Sequence, residues 1–503
     1  MTTLSTLVTP GNVLTAAGTQ APTNKDLTGS GNTFPVLGGA TGFVASGSIG
    51  NGATVGINAD GTVSVVAGVA EGAGTAVVFE SATSSYISAT YDANAQKVVI
   101  AYQDAGNSQY GTAIVGTVSG TSISFGTAVV FESANSNWIS ATYDANAQKV
   151  VIAYSVVDNS NYGTAIVGTV SGTSISFGTA IVFESAASTY ISATYDANAQ
   201  KVVIAYNDGG NSQYGTAIVG TVSGTSISFG TAVVFESATS SYISATYDVN
   251  AQKVVIAYRD VGNSNYGTAI VGTVSGTSIS FGTAVVFESA NSIYILATYD
   301  ANAQKVVIAY RDEGNAGYGT AIVGTVSGTS ISFGTAVVFE SASTLWISAT
   351  YDANAQKVVI AYTDNGNSSY GTAVVGTVSG TSISFGTAVV FESANSSYIS
   401  ATYDVNAQKV VIAYRDVGNS GYGTSVVFQN ASTNAPSYIG LSTQAVSDTD
   451  AVTVTTVAGI NENQTGLTPN TLYYVNDDGT LTATATNTYA GKAVSATELL
   501  VKG

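Results

Sequence analysis

A seven-bladed β-propeller is the fold class this sequence predicts, all-β throughout, and three observations predict it. A 52-residue unit recurs seven times between about Gly74 and Phe428 without insertion or deletion, its lysine falling at Lys97, Lys149, Lys201, Lys253, Lys305, Lys357 and Lys409. A period of that length marks repeated supersecondary units. Each unit holds four runs rich in β-branched and aromatic residues, TAVVFE, YISATY, KVVIAY and GTAIVGTV, separated by Gly, Ser, Asn and Asp, the pattern of a four-stranded antiparallel meander. Finally, the array opens on a lone TAVVFE strand (75–80) and ends on GTSVVF (423–428), where the GTVSGTSISFG continuation is lost. A ring in which the N-terminal strand completes the last sheet removes both loose ends, whereas an open solenoid leaves two sheet edges exposed.

Taken in order, residues 1–45 are rich in Thr, Gly and Ser and are expected to be irregular. Residues 46–73 alternate apolar and small polar residues around Asp60-Gly61, a pair suited to a β-hairpin. The propeller occupies 74–429, and its KVVIAY run, apolar almost throughout, suits a strand covered on both faces. NASTNAPS (430–437) is a linker, and 438–503 reads as a small C-terminal β domain with VTVTTV, TLYYV and TLTATA as strands and Asp478-Gly479 as a turn.

Composition excludes several functions. The 503-residue chain has no Cys and no His, so disulfides, the usual zinc sites, thiol nucleophiles and histidine bases are absent. A formal charge of −18 argues against nucleic acid and anionic membranes as partners. The opening MTTLSTLVTPGN has neither a basic nor an apolar signal region, so no secretory signal is expected, and no apolar run is long enough for a membrane span. The acids recurring in each repeat, Glu80, Asp92 and Asp104 in the first copy, read as turn-formers and solubilising charges.

GLTPNTLYYVNDDGTL, the terminal AGKAVSATELLVKG and the NADGTVSVV block near the N-terminus resemble modules of tail-fibre and other virion structural proteins of marine cyanophages. That resemblance implies a place on a virion, reached by lysis without a signal peptide, and other virion proteins as partners of the terminal modules. It implies no chemistry. The modules are then expected to attach the chain to the particle or to drive homo-oligomerisation.

Comparison among the seven copies separates two kinds of loop. DANAQK and VSGTS are nearly constant, the exceptions being Val249 and Val405, whereas the stretches before YISATY and after KVVIAY vary. Successive turns of a meander alternate between its two ends, so the variable loops share one face and the constant turns the other. The three arginines, Arg259, Arg311 and Arg415, stand at one position of that variable face. Both tryptophans, Trp138 and Trp346, stand at another, filled elsewhere by Tyr86, Tyr190, Tyr242, Tyr294 and Tyr398. Rings beside Arg and Asp312 suit recognition of a host cell-surface glycan or another receptor. Drift of unconstrained loops is the competing explanation, with aromatics that only cap the core, and the alternative function is structural: capsid decoration or fibre assembly through the constant face.

No enzyme, cofactor or metal is expected. Three arginines on a propeller resemble a sialidase arrangement, but the SxDxGxxW type of box is missing. The two acids that break the pattern, Asp158 and Glu313, lie three blades apart, where glycosidase chemistry needs a carboxylate pair at a set separation. The Asp-Ala-Asn turns offer oxygens but no complete calcium motif.

Overall fold

The repeat unit folds as the seven-fold symmetry of its sequence requires. The computed structural model describes residues 39–433 and 435–502; the expectation for 1–45 falls almost wholly outside them. Two compact units result, one of residues 71–430 and one of the segments 39–70 and 431–502.

In the 71–430 unit, a continuous antiparallel sheet runs through seven blades. The first blade has its inner strand at 84–92, then Lys97–Asp104 and Tyr110–Ser119. Its outer strand has two halves: Ser122–Phe125 pairs with the far end of Tyr110–Ser119, and the opening residues of Val129–Asp144 pair with the near end. VVFE thus belongs to the preceding blade, and SISF, which the four runs above omitted, is a strand. The chain then bends through a bulge and continues as the next inner strand, which makes one 16-residue strand of two structural roles. As expected, the N-terminal segment closes the ring: Gly72–Ala73 and the start of Val77–Asp92 pair with Tyr422–Gln429 as the outer strand of blade seven.

Burial follows the apolar pattern. Val98 to Tyr102 are each 0% exposed, and so are their equivalents in every blade. Three recurring hydrogen bonds link the blades. The Asn94 N–H donates to the Tyr143 hydroxyl of the next blade at 3.1 Å, and the series closes with Asn406 on Tyr91 at 3.2 Å. The Tyr102 hydroxyl donates to Glu80, carried by the outer strand of blade seven, and this bond recurs in all seven blades at 2.8–3.2 Å. The recurring glutamate is therefore an inter-blade tie and not a solubilising charge, whereas Asp92 and Asp104 do cap turns. Nearer the axis, the Ala141 N–H donates to Ser88 Oγ at 2.9 Å, a bond made by every blade pair except the one where Leu296 replaces the serine.

On the constant face, the Asn94 N–H of the DANAQK turn meets the Tyr143 hydroxyl of the next blade, and the Thr173 carbonyl of the next blade's VSGTS turn lies where a Cβ on Gly126 would stand.

The other unit contains two five-stranded sheets. One orders Ala40–Val44, Ala451–Thr455, Tyr438–Ser442, Thr54–Ile57 and Val63–Val65; the other orders Ile460–Asn461, Leu499–Val501, Tyr489–Ala493, Leu472–Val475 and Leu481–Thr482. Read in chain order, both follow one topology, and the registers agree. Thr54 faces Leu441 and Val55 faces Gly440 before a bulge; Leu472 faces Lys492 and Tyr473 faces Gly491 before the same bulge. The turns match as well, since Asp60 Oδ1 and Asp478 Oδ1 each accept from the N–H and hydroxyl of a Thr two residues on. The unit is one module present twice, and the whole propeller is inserted between the third and fourth strands of its first copy. The N- and C-terminal segments, separate in the sequence, thus share a sheet.

Candidate functional site

The variable face is built by the crossovers from outer to inner strand and by the short loops after each second strand, a 3-10 turn in six blades and a plain turn at 209–213 in blade three. Asp104 opens the first of these loops, its carboxylate accepting from the Gly106 N–H. Asp312 does the same for Gly314, and with 8% of its surface exposed its carboxylate is committed to the loop.

The aromatic position meets the axis. Tyr86, Trp138, Tyr190, Tyr242, Tyr294, Trp346 and Tyr398 form a closed ring, each centroid 4.2–5.5 Å from the next. All seven have φ between 48° and 51°, a left-handed backbone that costs an L-residue roughly 1–2 kcal/mol. Packing seven rings against one another offsets that cost. The rings expected to stack on a ligand pack tilted against each other at 36–57°, all seven side chains being half-buried.

The arginine position behaves differently from blade to blade. It lies at the end of the second strand and reaches toward the neighbouring crossover. Gln103 Nε2 donates to Asn135 and Asn137 at 2.8 and 2.7 Å; Asn207 Nδ2 donates to the Ser240 and Gln213 carbonyls at 2.7 and 2.9 Å; Thr363 donates to the Ser396 carbonyl. Arg311 Nε lies 2.8 Å from Glu313 Oε1 in an ion pair. Arg415 folds over Gly421. The equivalent Gly317 lies under Arg311, and both glycines have positive φ; in the other blades this position holds Gln, Asn or Ser.

Arg259 alone turns toward its own inner strand. Its Nε donates to Ser241 Oγ at 2.8 Å, and its guanidinium carbon sits 5.1 Å from the Tyr242 centroid, within cation–π range. It forms one wall of a cleft of about 320 Å³ between blades three and four, with Tyr190, Asn207, Gln213, Thr239 and Ser241 around it. Burial pushes the Tyr190 phenol up, so it remains a neutral hydroxyl, and nearby Arg259 partly offsets the shift. The arrangement offers a cation, amides and hydroxyls in one concavity, the groups that recognise a polyol or a carboxylate.

Of the residues singled out from sequence, Arg259 and Tyr190 meet in this cleft; Trp138, Trp346, Tyr86 and Tyr294 share only the axial ring with Tyr190; Arg311, Arg415 and Asp312 stand elsewhere on the face. Asn207, Gln213, Thr239 and Ser241 were missed. All four lie in the two loops that vary among copies; Ser241 is the residue just before an aromatic of the ring and pairs with the arginine position, and Asn207 fills the arginine position in blade three. Among the described residues no three His, Cys, Asp or Glu side chains gather as a metal site, and no helix is long and apolar enough to cross a membrane.

No protein-family model and no curated protein sequence matches this chain. Solved structures do. The BP39L lectin from Burkholderia pseudomallei is 10% identical with a TM-score of 0.50, the match covering 71% of this chain and 98% of that one. A mutant of the Aleuria aurantia lectin in complex with alpha-methyl-L-fucoside is 13% identical over 62% and 96% at TM-score 0.39, and a leech intramolecular trans-sialidase 8% identical over 71% and 69% at 0.42. The likeness to BP39L concerns the fold alone.

Proposed function

We infer that the propeller binds a host cell-surface glycan in clefts between blades on its variable face, and that the chain is a tail-fibre-like virion appendage. The observation that carries the binding is the cleft beside Arg259, where a guanidinium not paired with any carboxylate among the described residues meets hydroxyls and amides. An acidic sugar suits it best, because a carboxylate takes two parallel hydrogen bonds from an arginine. A β-propeller that is itself a lectin supports the binding class at the level of fold. The virion placement rests on the terminal modules, whose motifs resemble cyanophage virion proteins.

Catalysis is not part of this function. Asp208 and Asp260, which follow the cleft residues Asn207 and Arg259 in the chain, each cap their own loop and are not aimed at one reacting bond.

The test is binding of the purified chain to an array of acidic and neutral glycans, beside Arg259→Gln. Retention of acidic glycans by the parent and a loss of about tenfold or more in the variant, as expected for removing a charge-assisted contact, supports the site. No retention of any glycan by the parent rejects it.

A further inference from the structure

The three arginines share one backbone setting and differ in what stands six residues further on. Asn265, Gly317 and Gly421 fill that place with φ of 64°, 74° and 75°, and their carbonyls accept alike from the N–H of Ser292, Thr344 and Ser84 at 3.0–3.1 Å. A Cβ on Gly317 would lie 2.8 Å from Arg311 Nε, and one on Gly421 3.0 Å from Arg415 Nε, so each guanidinium rests in the space that a side chain would take. Asn265 has that Cβ. Arg259 is therefore shut out of the resting place over its own loop, and it is the arginine that turns to Ser241 and the cleft.

We propose that Asn265 is the positioning residue of the glycan cleft. It does not line the cleft and acts only through Arg259, which its Cβ presents to the ligand. What Arg259 binds rests on the reading given above; where it points does not. A second condition is an acceptor on the facing strand. The residue paired with the arginine is Ser241 in blade four, Ile293 in blade five and Ser397 in blade seven. Blade four meets both conditions, whereas blade five meets neither, and Glu313 holds its arginine besides. Blade seven lacks only the Cβ. Arg415 Nε is buried with no hydrogen-bond partner among the described residues, and Ser397 would give it one. Trp346, Ser369 and Asn395 stand three repeats on from Tyr190, Gln213 and Thr239 of the binding cleft, so blades six and seven frame a latent second site. A side chain at 421 would stand beside Thr83, as Gln213 stands beside Thr239 in blade three, so the fold accepts one there.

Crystal structures of the full chain and its variants, with titration calorimetry against sodium glucuronate as a carboxylate-bearing sugar, decide the matter. Asn265→Gly should let Arg259 fold over residue 265 and weaken glucuronate binding about tenfold or more, as for the loss of a charge-assisted contact. Asn265→Ser, which blade six carries naturally as Ser369 at φ 61°, should keep the parent's orientation and affinity. Gly421→Asn should turn Arg415 to Ser397 and raise the stoichiometry from one sugar per chain to two, while Gly317→Asn leaves it at one because Ile293 offers no acceptor. An Arg259 that stays on Ser241 in Asn265→Gly, an Arg415 that does not turn in Gly421→Asn, or a stoichiometry unchanged when it does turn overturns the proposal. So does a loss in Asn265→Ser equal to that in Asn265→Gly, which would make the amide and not the Cβ the active part. A parent that binds no glucuronate counts against the acidic-sugar reading alone, and the arginine orientations in the variants still decide this one.

Discussion

Phe428 lies directly across the closing seam from Ala73 and inverts the arrangement of the other six blades. There, the third strand supplies a glycine and the outer strand a phenylalanine, as in Gly116 opposite Phe125 and Gly376 opposite Phe385. Space is the reason. A Cβ on Gly116 would lie 2.6 Å from Ile123 Cδ1 and 3.0 Å from Phe125 Cε1, so two large residues cannot share the site. The seam keeps the total volume and exchanges its owners. Phe428 is fully buried, and only an outer strand with a small residue at this position can cover it; SISF cannot.

Size exchange predicts a specific coupling. Phe428→Gly leaves a cavity and should cost about 3–5 kcal/mol, and Ala73→Phe overfills the seam at about 1–3 kcal/mol. The double variant recreates the Gly–Phe pair of the other blades and should be more stable than the sum of the singles by about 1 kcal/mol or more. Denaturant unfolding of the four proteins measures the coupling, and strictly additive losses would show that the two side chains do not share one space.

Closure also makes a prediction about hydrogen bonds. The bond from the Asn406 N–H to Tyr91 crosses the seam with the geometry of the bond from Asn146 to Tyr195 inside the ring. Tyr91→Phe and Tyr195→Phe should therefore each cost about 1 kcal/mol. If the ring opened at its seam in solution, Tyr91→Phe would be silent while Tyr195→Phe was not.

Much of this was legible in the repeat. The apolar KVVIAY run announced a strand covered on both faces, and the incomplete ends announced the closing strand. The blade frame was harder to read, because Gly-Thr-Ala between SISF and VVFE reads as a turn although the two halves lie along one neighbour. At the candidate site, the fixed aromatic column suggested ligand contact. Its fixity instead reflects a seven-membered ring in which each side chain must satisfy two neighbours. Arg259 was identifiable as a residue but not by orientation, since the same side chain pairs with Glu313 in one blade and lies over Gly421 in another. The duplicated module was hidden because the propeller separates the halves of its first copy, leaving only the Asn-x-Asp-Gly-Thr turn and a Tyr-x-Gly strand in common.

The axial ring separates stability from recognition. Trp138 packs at 4.4 Å from Tyr190 and 5.5 Å from Tyr86, so Trp138→Ala should cost about 3–5 kcal/mol, while Trp138→Tyr restores the ring found in other blades and should cost far less. Glycan retention by the fraction still folded should survive in both variants and fall in Arg259→Gln. Loss of binding by a stable Trp138→Tyr protein would move the ligand site from the cleft to the axis.

Acidity should strengthen the ring. Burial raises the carboxyls of Glu80, Glu184, Glu236, Glu288, Glu340 and Glu392 above their ordinary value of 4.5, each although a tyrosine hydroxyl of the neighbouring blade donates to it. Asp92, Asp144, Asp248, Asp300 and Asp404 are raised for the same reason. A carboxyl raised in the folded state binds more protons there than in the unfolded chain wherever pH lies between the two values. Its contribution is therefore complete below the ordinary carboxylate range and is lost as pH rises through the folded value. Relief of self-repulsion in a chain of net charge −18 acts in the same direction. Thermal unfolding should therefore occur at higher temperature near about pH 5 than near about pH 7. Glu236→Gln keeps an acceptor for the Tyr258 hydroxyl but cannot titrate, so it should flatten part of that dependence; a melting temperature that falls steadily from neutral to mildly acid pH would contradict the buried, raised carboxyls.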